Sequence, residues 1–469
     1  MDKKILQVVL TISLSLLLAC NTRKQETQSN SESASAFSLD ELQKRTFKWF
    51  WEIADSNNYQ ILDRYPSRTF SSIAATGFGL SSYLVGVERQ FITRAQAAER
   101  VVNTLKVLYE LPQGPGSTGV SGHKGFFYHF LTLDQAHRYK EVELSTIDTG
   151  LLMAGVLSVM SYFDQDDPVE AEIRRLSDLL YRRVEWDWAL NETNRLSMGW
   201  RPERGYIPAD WRGFNEAMVL LVMAIGSPTH PIPASTWEKW CETYEWDTFK
   251  GQEHLNFSPL FGHQYSHMYI DFKGIQDPYM KEKGIDYFEN ARRATYANRQ
   301  YCIDNPQGFT GYGPNQWGLT ASDGPRGEPR KAMFNNKEVQ FRMYWARGAS
   351  SRHINDDGTI APTAAGGSVP FAPEICIPTL KHMWDEYYDK LVGEYGFKDA
   401  FNLSYTFSEG NEEGWFDYDY LGIDQGPILL QIENHRSGLI WEVMKKNPYI
   451  QEGLKKAGFT GGWLDKLDK

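Results

Sequence analysis

The sequence predicts an all-α fold, an (α/α)6 barrel, on three observations. Apolar residues recur at helical spacing through most of the chain. Stretches apolar almost all round, Ile147 to Met160 and Ala217 to Ile225, alternate with plainly amphipathic ones at 93–110, 168–184 and 285–304. The intervening segments are long and rich in glycine, aromatic residues and carboxylates. A helix apolar on every side needs neighbours on every side, so an inner ring wrapped by an amphipathic outer ring accounts for the alternation. About a dozen helices make six hairpins, with long loops and short strands at the end that forms the pocket.

Taken in order, the chain opens with Asp2, Lys3 and Lys4, then an apolar run from Ile5 to Leu18 that ends in Leu17-Leu18-Ala19-Cys20. The run is short for a membrane span and reads as an export signal over 1–19. A Cys directly after a small residue resembles a bacterial lipobox, which would make Cys20 the lipidated first residue and anchor the protein to a bacterial membrane by that lipid alone. Residues 20–36 hold nothing able to build a core and read as a tether. The catalytic domain is expected over 37–469, with no second linker or charge block interrupting it.

Within it, Ser38-Leu39-Asp40-Glu41 is a capping box ahead of the stripe Leu42, Thr46, Trp49, Phe50 and Ile53. Further helices are expected at 71–88, 93–110, 145–163, 168–184, 214–225, 235–245, 285–304, 373–394, 425–445 and 448–457. The long loops are 112–144, 186–213, 246–284, 306–345 and 395–424, a length that usually marks function. Strands are expected in Gly125 to Phe130, and a hairpin around Asp357-Gly358-Thr359.

A formal charge of −11 spread along the chain excludes nucleic acid and other polyanions as natural partners and leaves neutral ligands. Besides Cys20 there are Cys241, Cys302 and Cys376, widely spaced, so neither a disulfide framework nor a zinc cluster is expected. Aromatic residues reach 14%, with 15 Trp, a surplus that suits sugar stacking as well as a core.

Three carboxylates stand at loop-to-helix junctions that such a barrel brings to one end: Asp148 in Ser145 to Gly150, Glu216 in Trp211 to Glu216, and Asp424 in Gly422 to Pro427. Pro427 suits a first helical turn, which places Asp424 at the helix mouth. Partial burial there raises an acid's pKa toward the range of a general acid. Cleaving a glycosidic bond takes two carboxyl groups, one protonated and one ionised. Glu216 and Asp424 suit that division, and Asp148 can position substrate or stand in for either. Asp417 and Asp419 compete with Asp424 as base.

The glycine-rich run Gly311 to Gly324 offers Asn315, Gln316, Trp317 and Asp323 to sugar hydroxyls and ring faces, and lacks the Lys of a phosphate-binding loop. Tyr265 and Trp211 are further substrate contacts. His263, His267 and Asp271 recur at four-residue steps without the Glu of a His-Glu-x-x-His site, so His267 is expected to hydrogen-bond sugar or loop backbone rather than a metal. Glu374, in Ala364 to Glu374, is either a rim contact or a charge on a helix N-terminus.

At Ser145 to Gly150, Gly213 to Glu216, Gly311 to Asp323, Ala364 to Glu374 and Gly422 to Trp441, the chain resembles the bacterial glucoamylase-like proteins of glycoside hydrolase family 144, the β-1,2-glucanases. The resemblance covers about 40–465 and implies an (α/α)6 barrel that hydrolyses linear β-1,2-glucan with inversion, internally or with release of sophorose. It makes Glu216 the acid, Asp424 the base and Asp148 an essential pocket acid, with no cofactor or metal. A monomer acting on a neutral glucan or oligosaccharide is expected. Two rivals remain: a non-catalytic glycan-binding lipoprotein, and a polysaccharide lyase using Tyr265 and His267.

Overall fold

The computed structural model describes residues 36–467. The expected signal 1–19, Cys20 and nearly all of the tether 20–36 lie outside the described residues. From Phe37 onward the chain clusters as one compact unit. Among the described residues, sixteen α-helices are joined by segments carrying many strands of two to four residues.

The helices are α1 (Leu39–Glu52), α2 (Ile73–Glu88), α3 (Arg94–Glu110), α4 (Thr146–Tyr162), α5 (Pro168–Arg182), α6 (Met218–Gly226), α7 (Ser235–Cys241) and α8 (Tyr265–Tyr269). They continue with α9 (Pro278–Lys283), α10 (Tyr287–Asp304), α11 (Pro362–Gly366), α12 (Pro373–Glu386), α13 (Tyr388–Leu391), α14 (Gly422–Arg436), α15 (Leu439–Lys445) and α16 (Pro448–Lys456). Side-chain caps fix many of the starts: Ser38, Ser72, Thr93, Ser145, Asp167 and Asp286 each accept from an amide two or three residues on.

Two populations of helix appear. Every residue of α6 and α11 is buried, as is nearly every residue of α2, α4 and α14. By contrast α1, α3, α5, α10, α12 and α16 bury one face. Buried helices pack on one another: α2 on α4 and α14, α4 on α6, α8 on α6 and α14, α11 on α14. The half-buried ones pack outside, α3 on α5, α5 on α4, α1 on α14 and α12 on α11.

Glycine sets how closely two inner helices approach. A Cβ on Gly155 of α4 would stand 2.1 Å from the Gly77 carbonyl oxygen of α2, and one on Gly77 would stand 2.4 Å from the Leu151 carbonyl oxygen. Neither backbone can yield without separating the helices, a repacking that costs about 1–3 kcal/mol.

Several expectations need correction. The helix expected over 425–445 starts earlier, at Gly422, and breaks at Gly438, whose φ of 72° is left-handed. Asp424 therefore lies inside the first turn, and Pro427 in the second. The segment 373–394 stops at Glu386, then makes the single turn α13 before a strand at Val392. The short helices α8, α9 and α11 fall in or beside segments read as loops, because five or six residues cannot display a helical period. The hairpin expected around Asp357-Gly358-Thr359 lies earlier, Gly348–Ala349 pairing with Ile354–Asn355. Asp357 instead forms a fully buried bidentate pair with Arg347, at 2.7 and 2.9 Å.

Candidate active site

The starts of α4, α6 and α14 carry Asp148, Glu216 and Asp424, and all three starts present residues to one cavity of about 420 Å³. Asp148 and Glu216 line it with Tyr265, Tyr344, Arg64 and His129, and Ile423 presents the α14 mouth. Asp424 follows Ile423 in the chain without itself lining the cavity, and the hydroxyl of Tyr265 feels the charges of Asp424, Glu216 and Asp148 together.

Glu216 sits in the turn just ahead of α6. Its main-chain carbonyl accepts from Ser266 Oγ at 2.9 Å, and the same hydroxyl accepts from the Val219 amide at 3.0 Å, so α8 pins the turn. Its carboxyl oxygen Oε2 is buried without a protein partner. Burial, with the nearby Asp148 charge adding to it, pushes Glu216 up to about 7. A carboxyl group in that condition holds a proton near neutrality and can release it to an oxygen placed against it.

Asp424 occupies the first turn of α14, where its carbonyl accepts from Thr363 Oγ1 at 3.0 Å. Pro427 has no N–H for the Ile423 carbonyl, and the Tyr265 hydroxyl reaches that carbonyl at 3.5 Å instead. Asp424 shares a side-chain hydrogen bond with Asp399, and burial raises both acids, Asp424 to about 7 and Asp399 well above the carboxylate range. Two touching carboxyl groups cannot both ionise cheaply, so Asp399 keeps the proton and donates it to Asp424. Above about pH 7 that leaves Asp424 as an anion with its Oδ2 uncommitted, the condition of a base.

Asp148 is held differently. Its Oδ2 accepts from Ser145 Oγ at 2.5 Å and its Oδ1 faces His129 Nε2 at 3.5 Å.

A second layer of acids lies behind Asp424. Asp323 pairs with Arg64 at 2.6 Å and with Arg326, and its amide donates to Asp399 at 2.7 Å. Asp419 accepts from the Ser67 amide at 2.9 Å and pairs with Arg326. Asp323, Asp417 and Asp419 come close enough to share a cation. The Arg326 guanidinium already bridges Asp323 and Asp419. Asp417 and Asp419, like Asp424, do not line the cavity, but Asp417, pushed up to about 8 by burial, borders a separate groove beside Gly410 to Gly414, whereas Asp424 adjoins the lining residue Ile423.

The substrate contacts expected from sequence divide. Tyr265 lines the cavity, whereas Asp323 does not but pairs with Arg64, which does. The others are corrections. Trp317 is fully buried in a secondary hydrophobic cluster. Gln316 accepts from the Tyr387 hydroxyl at 2.6 Å, and Asn315 is exposed on the turn before it. His267 is wedged among Phe272, Phe288 and Phe371, and burial lowers it to about 3. Glu374 is exposed in the first turn of α12, paired with Arg292. Trp211 donates from Nε1 to Thr146 Oγ1 at 2.9 Å and so braces the start of α4. None of these six lines the cavity.

Arg64, His129, Tyr344 and Asp399 escaped the sequence reading. Asp399 and His129 lay in loops already marked as functional, 395–424 and 112–144, but no spacing singles out one residue of an irregular loop.

Comparison with known proteins places this geometry. The family model described as "Putative glucoamylase" matches residues 208–448, a span that carries Glu216, Asp399 and Asp424. A crystal structure of a "putative glucoamylase" from Bacteroides uniformis is 33% identical, covering 92% of this chain and 100% of that one, with a TM-score of 0.78. The endo-β-1,2-glucanase from Chitinophaga pinensis, solved with sophorotriose and glucose, is 30% identical over 91% of this chain and 99% of its own, also at TM-score 0.78. An exo-β-1,2-glucooligosaccharide sophorohydrolase of Parabacteroides distasonis is 29% identical over 89% of this chain, which spans 57% of that relative's length. With a matched span of half its length and relatives aligned nearly end to end, the chain belongs to this glucoamylase-like family, which is related to the bacterial β-1,2-glucanases.

Proposed function

We propose that the protein is a glycoside hydrolase that cleaves β-1,2-glucan with inversion, Glu216 serving as general acid and Asp424 as general base. The observation that carries this reading is a pair of acids at two helix mouths, Glu216 lining the cavity and Asp424 next in the chain to its lining residue Ile423, both raised to about 7. Glu216 has an unpartnered oxygen from which to give its proton, while Asp424, hydrogen-bonded by Asp399, is the first of that pair to ionise.

In the reaction Glu216 donates to the departing glycosidic oxygen as the bond to the anomeric carbon breaks. A water on the opposite face gives its proton toward Asp424 and attacks that carbon. Asp148 receives sugar hydroxyls, and the half-exposed Tyr344 offers a ring face at the cavity wall.

The packing of α2, α4, α6, α8, α11 and α14, each touching the next and the last returning to α2 and α8, supports an (α/α)6 barrel with these as inner helices. The N-terminal signal, Cys20 and tether support a lipid-anchored protein facing the periplasm or cell surface, working as a monomer on a neutral glucan.

A lyase reading is disfavoured because Tyr265 is raised well above its ordinary value among acids and His267 lies away from the cavity. Incubation with linear β-1,2-glucan, laminarin and starch, followed by product sizing and NMR of the first anomer formed, tests the proposal. Sophoro-oligosaccharides appearing first as α-anomers, from β-1,2-glucan alone, are expected. Binding without turnover, or an unsaturated product, would contradict it.

A further inference from the structure

Both ring nitrogens of His129 face carboxylates. Nδ1 lies 2.9 Å from Glu143 Oε1, and Nε2 lies 3.5 Å from Asp148 Oδ1. A neutral imidazole has one N–H and one lone pair, so in this setting its lone pair would confront a negative oxygen. Only the doubly protonated ring satisfies both sides.

The backbone builds the arrangement in. The His129 amide donates to the Glu143 carbonyl at 3.0 Å, and Tyr128 bridges Leu144 in antiparallel fashion, so the two side chains leave neighbouring strands side by side. On the far side Asp148 is anchored through Ser145 Oγ at 2.5 Å. Glu143 also faces Arg201 at 3.5 Å, and Asp63 is the remaining acid whose charge reaches the ring.

We propose that His129 is a positioning residue of the cavity: an imidazolium gripped by Glu143 that holds Asp148 as a fixed carboxylate beside Glu216. The inference rests on the acid role given to Glu216. It assigns a task to two residues, His129 and Glu143, that make none of the bonds in the reaction. The charges agree with the geometry, since the flanking acids carry His129 up to about 9 against the cost of burial, and His129 draws Glu143 down to about 2. The Asp148 charge in turn helps Glu216 keep its proton near neutrality. The chain of effect runs from Glu143 through His129 and Asp148 to Glu216.

The test uses the whole protein and two readouts. In the first, kcat and KM on linear β-1,2-glucan are followed from pH 4 to 9 for wild type, His129→Gln and Glu143→Gln. Loss of the cation leaves the Asp148 charge unbalanced beside Glu216, so the basic limb of kcat/KM, which Glu216 sets, is expected to move up by about half a pH unit or more. Activity should fall about tenfold near pH 6, where Asp148 is no longer held in place, and by less at pH 9, where Glu216 keeps more of its proton. A profile merely scaled down, with its limbs unmoved in both variants, would overturn the proposal.

The second readout, nitrogen NMR of the imidazoles, needs no turnover. His129 is expected to keep both protons to about pH 9 in wild type and to titrate at lower pH in Glu143→Gln. Titration of wild-type His129 near its ordinary value would overturn the inference. An inactive wild type with a charged His129 would overturn the hydrolase reading and leave the ion triad standing.

Discussion

Helix α14 carries two buried acids in opposite condition. At its mouth, Asp424 is raised to about 7, with its Oδ2 unpartnered and a protonated neighbour against it. Two turns deeper, Glu433 is fully buried yet lowered, because Arg89 grips it at 2.6 and 2.7 Å and Gln43 and Ser437 donate to it at 3.0 and 2.6 Å. Burial alone does not mark a catalytic group. A buried acid whose lone pairs are all taken is part of the frame, whereas one left short of partners is stabilised by what enters the cavity.

The largest test of the difference is chemical. Asp424→Asn and Glu216→Gln are each expected to reduce kcat on β-1,2-glucan by about 10²–10⁴-fold with the fold intact, the range for losing a general acid or base. Near wild-type turnover in either would place the chemistry elsewhere. Glu433→Gln should do the reverse. It strands Arg89 and costs about 3 kcal/mol of stability in urea unfolding, while kcat at a temperature where the protein stays folded changes little.

The pH dependence of stability sharpens the contrast. Glu216 has a folded pKa of about 7 above an ordinary 4.5, so ionising it opposes folding. Its contribution is most favourable below about 4.5 and is lost as pH climbs through 7. Glu216→Gln is therefore expected to be more stable than wild type at pH 8 by about 2 kcal/mol, allowing for partial exposure, and not at pH 4. Glu433, lowered by its partners, has the opposite sign: its pairing stabilises above the ordinary value and is lost as pH falls through its folded value. The smallest effect belongs to Glu374→Gln, on the exposed start of α12, where activity should be unchanged and stability should move by less than about 0.5 kcal/mol.

Much of this frame was legible in the chain. The caps and the alternation of apolar with amphipathic stretches located the long helices, and of the acids at three apolar helix starts Asp148 and Glu216 line the cavity while Asp424 adjoins its lining residue Ile423. The substrate contacts were less legible. Trp317 and His267 look like sugar-binding groups by residue type, but type does not say which way a side chain faces, and both pack inward. Neither Asp399, between Lys398 and Ala400, nor Asp417, between Phe416 and Tyr418, carries a local pattern that marks it for the site. What separates them is the hydrogen bond from Asp399 to a residue 25 positions away, which no local pattern encodes.

Infrared difference spectroscopy of the carboxyl bands between pH 5 and 9 tests the central contrast most directly, in wild type and the Glu216→Gln, Asp424→Asn and Glu433→Gln variants. A protonated carboxyl signal that disappears as pH rises through about 7, diminished in the first two variants and untouched in the third, is the predicted result. Complete ionisation of every carboxyl group by pH 5.5, or a signal unchanged in both mouth variants, would contradict it.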